Sequence, residues 1–122
     1  MAVVVVDASA QVVASAREDG ASPLRLDIAL GKAAAAVGMG ANSRVLAQRA
    51  KELPAFFGAV AAASTQKFIP QTGAVLILDP ADGSVLGAAG ASGGTGDEDE
   101  EIAIAGIRAT KLRHPESRPA NE

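Results

Sequence analysis

The chain has 122 residues, a formal net charge of −3 and 48% apolar residues, which suffices for one domain with a modest hydrophobic core. The absence of cysteine excludes disulfides and thiolate chemistry, and the absence of tyrosine and tryptophan removes most groups on which single-stranded nucleic acids stack. Because the negative charge also supplies no basic field, we expect no nucleic-acid partner. The first apolar run is too short for a signal peptide or a membrane span, so we expect a soluble, cytoplasmic protein that binds no membrane.

The first predicted elements form a β-hairpin. Residues 2–6 are an alanine followed by four valines, and a second extended segment, residues 11–17, comes after a short turn. Because no polar residue interrupts the first segment, the pattern predicts a central strand that is buried on both faces.

An alanine-rich helix follows the hairpin. Ser22 and Pro23 are favoured at its start, and Gly38 and Gly40 are suited to its end. Lys32 lies in the middle of its apolar surface. Either its stem covers apolar surface while its ammonium group stays in water, or it reaches an anionic ligand or an acid of a later helix.

Two shorter helical segments follow, separated by Pro54. Phe56 and Phe57 stand at the head of the second one. Such a pair is typical of a hydrophobic core, and it would form the apolar wall of a pocket if it faced the glycine-rich segment near residue 93.

The remaining pattern completes the predicted fold. Residues 73–78 and 84–91, joined by an Asp and Gly turn, predict a second hairpin, and a helix follows it. The order β-β-α-α-β-β-α predicts an α/β (α+β) fold, a three-layer α/β/α sandwich around a four- to five-stranded, largely antiparallel sheet. We expect a single domain over residues 2–112. Residues 113–122 lack apolar periodicity and predict a flexible C-terminal tail.

The most informative stretch is residues 92–96, which lead from the last strand into a helix that opens with five consecutive acids. We call its first three residues, Ser92–Gly94, the hinge. Gly93 and Gly94 allow tight backbone conformations, and the helix start favours carboxylates. The five acids would repel a phosphate, so a phosphate-binding loop is not favoured. Two interpretations remain. The helix start only caps itself, or Ser92, the loop amides and one or two acids hold a neutral or cationic group.

Three segments taken together resemble the GlcG/HbpS family, which also includes the C-terminal domain of PduO. They are VVDASAQVVASAREDGA at residues 5–21, IALGKA at residues 28–33 and VLGAAGASGGTGDEDE at residues 85–100. The resemblance implies a small α/β/α domain, homo-oligomeric assembly and, in some members, binding of haem or handling of corrinoid-related ligands. The family usually has a helix ahead of its first strand, whereas this sequence begins at that strand. Three explanations stay open: the start is trimmed, a partner subunit covers the bare face, or residues elsewhere fill in. Gln71 and Thr72 stand where the family tends to have a glycine run.

The resemblance also suggests which residues line a pocket at the Ser92–Gly94 hinge. Its candidate ligand-binding residues are Arg17, Phe56, Phe57, Ser92, Gly93 and Gly94, with Lys32 and Asp99 beside them. We therefore expect an oligomeric small-molecule-binding protein whose candidate ligands are a tetrapyrrole and a small organic molecule.

An enzyme is the alternative. Lys32 and Asp99 would be an acid–base pair acting on a small organic acid or carbonyl compound without a cofactor, as in a lyase or isomerase, and the loop amides would hold a developing oxyanion.

The residue types argue against haem as the main ligand. Iron requires an axial ligand, and this sequence offers only His114, Met1 and Met39. His114 falls in the predicted tail. Because the acidic run is poor in histidine and resembles a solvated helix start, we expect no metal site.

Overall fold

The computed structural model describes residues 1–65 and 67–115. In chain order its elements are β1 (Ala2–Asp7), β2 (Val12–Arg17), α1 (Leu24–Met39), α2 (Ser43–Glu52), α3 (Pro54–Ala63), β3 (Ala74–Leu78), β4 (Val85–Ser92) and α4 (Gly96–Arg108). No helix within these two ranges is both long and apolar enough to cross a membrane.

The strands form one sheet in the order β2-β1-β4-β3, and every neighbouring pair is antiparallel. The predicted α+β fold with an antiparallel sheet is therefore confirmed, with four strands in the described part of the chain. The register pairs Ala2 with Ser92, which places the start of the chain beside the hinge.

Helix α1 covers one face of the sheet. Its alanines pack against Val4 and Val6 of β1 and Leu76 of β3. Close packing depends on small residues: a Cβ atom at Gly90 would lie 2.5 Å from the carbonyl oxygen of Ala29. Because helix and sheet approach so closely, residues on α1 reach the end of β4 directly.

Helix α4 covers the opposite face, which completes the three layers. Ala103 and Ile107 pack on Val75 and Ile77 of β3. The helix lies over β3 and β4, so Val5 of β1 is only partly covered. The prediction that the first strand is buried on both faces is therefore wrong: one side of β1 is buried and the other is only partly buried.

The first residue of the predicted tail contacts the sheet. The backbone of Arg113 forms an isolated bridge with Leu78 at the end of β3, with N–H···O distances of 2.7 and 3.1 Å. This residue is thus bound to the sheet edge. Residues 116–122 of the predicted tail lie outside the described residues.

Candidate functional site

A buried ion pair joins the two helix layers across the end of the sheet. The Lys32 ammonium of α1 lies 2.9 Å from Oδ2 of Asp99 in α4, and the two side chains are 7% and 2% exposed. The ammonium also donates to the carbonyl oxygen of Ala91, at 3.1 Å. Of the two interpretations of Lys32, the structure shows the one in which it reaches an acid of a later helix.

Asp99 also fixes the hinge. Its Oδ1 atom accepts a hydrogen bond from the Gly94 amide at 2.9 Å, so a single carboxylate connects the hinge to the ammonium on α1. Asp99 belongs to the first turn of α4, where carboxylates are favoured by the helix dipole. The ion pair therefore sets the position of the hinge relative to α1.

The start of α4 caps itself. Thr95 accepts from the Glu98 amide at 3.2 Å, and Glu98 accepts from the Thr95 amide at 2.8 Å, which makes a capping box. The hydrogen bond that the Thr95 amide donates to the Glu98 carboxylate lowers the pKa of that carboxyl, and the Thr95 side chain lowers it further. Because the Gly94 and Thr95 amides already donate to the chain's own carboxylates, they are not free donors for an oxyanion.

Because Gly73 has no side chain, the Lys32 ammonium has room beside it. Its φ of 142° is rarely adopted by other residues, and a Cβ atom there would lie 2.7 Å from the lysine Nζ. A glycine is thus required beside the ion pair, immediately before β3.

A cavity of about 520 Å³ lies next to this ion pair, and we call it the Lys32 cavity. Its lining comprises Arg25, Ile28, Lys32, Ile69, Gln71, Thr72, Ser92, Gly94, Gly96 and Asp99. Ser92 is buried at the end of β4, and its hydroxyl lies 3.4 Å from Nη1 of Arg25. The structure thus brings Lys32, Ser92, Gly94 and Asp99 together around one hollow.

Arg25 is a lining residue that the sequence reasoning missed. Arg25, Ile28 and Lys32 are spaced three and then four residues apart, which places them on one face of α1. This helical spacing was the available signal. Gln71 and Thr72 were noted only for the glycines that they replace, yet both line the cavity.

Four predicted site residues do not line the Lys32 cavity. Phe57, on α3, is buried in a cluster with Ala35 of α1 and Leu46 of α2. Phe56, beside it in the sequence, is 54% exposed. Arg17 is exposed and donates to the carbonyl oxygen of Ala21. Gly93 instead faces the start of the chain, where its Cβ would meet Met1 at 2.7 Å.

Residues within 1–65 and 67–115 line two further cavities. The Met39 cavity, of about 400 Å³, is lined by Ala10, Ala34, Gly38, Met39, Val60, Ala63, Ser64, Lys67 and Phe68. The β1–α4 groove, of about 440 Å³, is almost entirely apolar and includes Val3, Val5, Ile102, Ile107 and Leu112. Within residues 1–65 and 67–115 there is no group of three histidine, cysteine or acidic side chains that could hold a metal ion.

Fold and site together define a small α+β protein with a polar cavity beside a buried ion pair. A model of the family described as "Haem degrading protein HbpS-like" matches residues 1–108. The chain therefore belongs to the HbpS-like family, which confirms the resemblance found in the sequence. A search among curated proteins gave no significant match.

Solved structures agree with this assignment. PduOC in complex with haem is 26% identical, with a TM-score of 0.80 over 92% of this chain and 79% of PduOC. A double mutant of HbpS from Streptomyces reticuli is 29% identical, with a TM-score of 0.74 over 88% of this chain and 69% of that one. The protein ORFY from Klebsiella pneumoniae is 27% identical, with a TM-score of 0.75 over 88% of this chain and 73% of that one.

Proposed function

We propose that this protein binds a small organic molecule in the Lys32 cavity. One observation carries the proposal: a cavity of about 520 Å³, within the usual size range of ligand pockets, places Arg25 and Ser92 beside the buried Lys32–Asp99 pair. Ligand pockets combine apolar walls with a few fixed polar groups, and here Ile28 and Ile69 are the apolar part.

The contacts of the ion pair favour binding over proton transfer. An acid–base pair has to exchange its protons with the substrate, whereas the Lys32 ammonium and the Asp99 carboxylate are hydrogen-bonded to each other and to the backbone at Ala91 and Gly94. The oxyanion arrangement of the enzyme alternative has the same difficulty, because the Gly94 and Thr95 amides are already engaged. We therefore assign Lys32 and Asp99 the role of positioning the hinge. The acid–base alternative stays a prediction.

We also propose that the protein is a cytoplasmic homo-oligomer. Val12 and Val13 of β2 are 52% and 66% exposed, and the β1–α4 groove leaves further apolar surface beside β1. Burying such apolar surface between copies of the chain would be favourable, since contiguous exposed apolar patches often mark protein–protein contacts.

A cavity-filling variant tests the binding site. Gln71 is exposed at the cavity, so Gln71→Trp should block the entrance without disturbing the core. The matched control is Gln48→Trp on the exposed face of α2. In a thermal-shift screen of small acids, amides, amines and sugars, at least one compound should raise the Tm of the wild type and of the control but not of Gln71→Trp. Equal shifts in all three proteins would refute the site.

Haem is a second candidate ligand, because a structural neighbour is described as a haem complex. The Lys32 cavity does not fit haem by iron ligation, since no histidine, cysteine, methionine or tyrosine lines it. The Met39 cavity fits better: it offers a thioether, the apolar walls of Val60 and Phe68, and the ammonium of Lys67 for a propionate. Bound there, haem would supply an iron centre that the Met39 sulfur could ligate.

A haem titration followed by visible absorbance separates the two candidates. A haem site at Met39 predicts a Soret shift that saturates at stoichiometric haem, and a changed spectrum in Met39→Leu, a replacement that nearly conserves volume. His114→Gln should retain the wild-type spectrum. If stoichiometric haem causes no Soret shift in the wild type, haem is eliminated and the Lys32 cavity proposal is unaffected.

A further inference from the structure

The Lys32 cavity carries a net positive charge. Its lining contains two cations, Arg25 and Lys32, and one carboxylate, that of Asp99. The Lys32 ammonium is neutralised directly, because it lies 2.9 Å from the Asp99 carboxylate. One positive charge, that of Arg25, is therefore left for a ligand to meet.

Arg25 has unused hydrogen-bonding capacity. Among the described residues it makes no ion pair, and its side-chain contact is the 3.4 Å approach of Nη1 to the Ser92 hydroxyl. This distance is longer than most N–H···O hydrogen bonds. A guanidinium group has five N–H donors in a planar fork that matches a carboxylate. The half-buried position of Arg25 at the cavity strengthens such a contact, because less water competes there.

The other residues that line the Lys32 cavity restrict the charge and the polarity of the ligand. Ile28 and Ile69 contribute apolar surface, and Gln71, Thr72 and Ser92 contribute neutral polar groups. A dianion such as phosphate would exceed the single uncompensated positive charge, and it would lie near the Asp99 carboxylate. A cation would be repelled by Arg25.

We propose that the ligand of the Lys32 cavity is a small monocarboxylate with an apolar body, held through its carboxylate by Arg25 with help from Ser92. This inference rests on the proposed binding function of the cavity. The apolar body packs against Ile28 and Ile69. The Lys32–Asp99 pair holds the hinge in place and does not itself contact the carboxylate.

The test uses benzoate, its neutral isostere benzamide, the cation benzylamine and inorganic phosphate as probes. Each is titrated into the isotope-labelled 122-residue chain and followed by two-dimensional amide NMR, which locates binding at Thr72, Gly94 and Gly96. Charge-assisted hydrogen bonds predict a dissociation constant for benzoate that is lower by about tenfold to a hundredfold than that for benzamide. Benzylamine and phosphate should bind more weakly than benzoate.

Variants at Arg25 then test whether its guanidinium group contacts the carboxylate of the ligand. Arg25→Met should raise the dissociation constant for benzoate to about that for benzamide and leave benzamide binding unchanged. Arg25→Lys should recover part of the loss, because lysine keeps the charge without the planar fork. Arg49→Met, which removes an exposed arginine from α2, is the control and should bind benzoate as the wild type does.

The outcomes distinguish this inference from the function on which it rests. If benzamide, benzylamine or phosphate binds at the cavity amides as tightly as benzoate, or if Arg25→Met keeps wild-type affinity for benzoate, the carboxylate assignment is wrong while the cavity remains a binding site. If no probe shifts the cavity amides and the Gln71→Trp screen also shows no selective loss, both proposals fail.

Discussion

Removing the charge of Lys32 tests the central feature of the site. In Lys32→Met the Asp99 carboxylate, whose side chain is 2% exposed, keeps a single hydrogen-bond donor among the described residues, the Gly94 amide at 2.9 Å. Breaking a buried ion pair on one side typically costs about 3–5 kcal/mol, because an uncompensated charge stays buried. Since domains are stable by only about 5–15 kcal/mol, we expect a large fall in the free energy of unfolding.

The partner substitution completes a double-mutant cycle. Asp99→Asn should also be strongly destabilising, because the buried ammonium loses its counter-charge and the single oxygen of the amide cannot accept from both Lys32 and Gly94. In the double variant Lys32→Met/Asp99→Asn no charge is buried, and the new amide oxygen can still accept from Gly94. Its loss should therefore be only about 1–3 kcal/mol, the cost of leaving a polar group such as the Ala91 carbonyl without its donor. We expect the loss in the double variant to be well below the sum of the two single losses.

Urea denaturation followed by far-UV circular dichroism measures these differences, since the chain has no tryptophan or tyrosine for fluorescence. Lys67→Met is the matched control: Lys67 lies 3.8 Å from Asp27, and both side chains are about half exposed. An exposed pair of this kind contributes about 0–1 kcal/mol. The reasoning is refuted if Lys32→Met costs no more than the control, or if the two single losses add in the double variant.

Three further predictions concern the surroundings of the site. Gly73→Ala should lower the Tm, because the new Cβ atom would overlap the ammonium of the buried pair. The control in the same thermal melts is Gly58→Ala in helix α3, where the Cβ atom has open space and should raise stability by up to about 1 kcal/mol. Because the pKa of Glu98 is lowered, its carboxylate stabilises the fold at pH values above the usual pKa of 4.5, and this contribution is lost as the pH falls through the lowered pKa. Glu98→Gln should therefore lose less Tm than the wild type on acidification below pH 4.5. The same acid profile in both proteins would contradict this. Light scattering should give a mass of at least a dimer, with a smaller mass for Val13→Asp, and a monomeric wild type would exclude the proposed oligomer.

The element order and the antiparallel pairing could be predicted from the sequence because both are encoded locally. Four consecutive valines favour a strand, two glycines suit the end of an alanine-rich helix, and Gly40 does adopt a φ of 70° after the last residue of α1. The closeness of Lys32 to Asp99 was anticipated only as one of two alternatives. Nothing local decides between them, because those residues are separated by 67 positions.

The misplaced residues show the limit of such reasoning. Phe56 and Phe57 were assigned to the pocket from the family resemblance, but Phe57 packs with Ala35 of α1 and Leu46 of α2, and Phe56 is exposed. Arg25 was overlooked because a single arginine at the start of a helix is usually solvated. Its spacing from Lys32 indicated a shared face of α1, but its place in the cavity also depends on where β4 ends, which the sequence of α1 does not specify.

The sequence by itself determined the strands, the helices and membership of the HbpS-like family, because these depend on backbone preferences and side-chain periodicity within short segments. Only the tertiary structure decided that the Lys32 ammonium is buried against Asp99, that Gly73 must leave room for it, and that Arg25 faces the same hollow as Ser92. The buried ion pair and the cavity are formed by side chains from distant segments, so they exist only once the two helix layers have packed on the sheet.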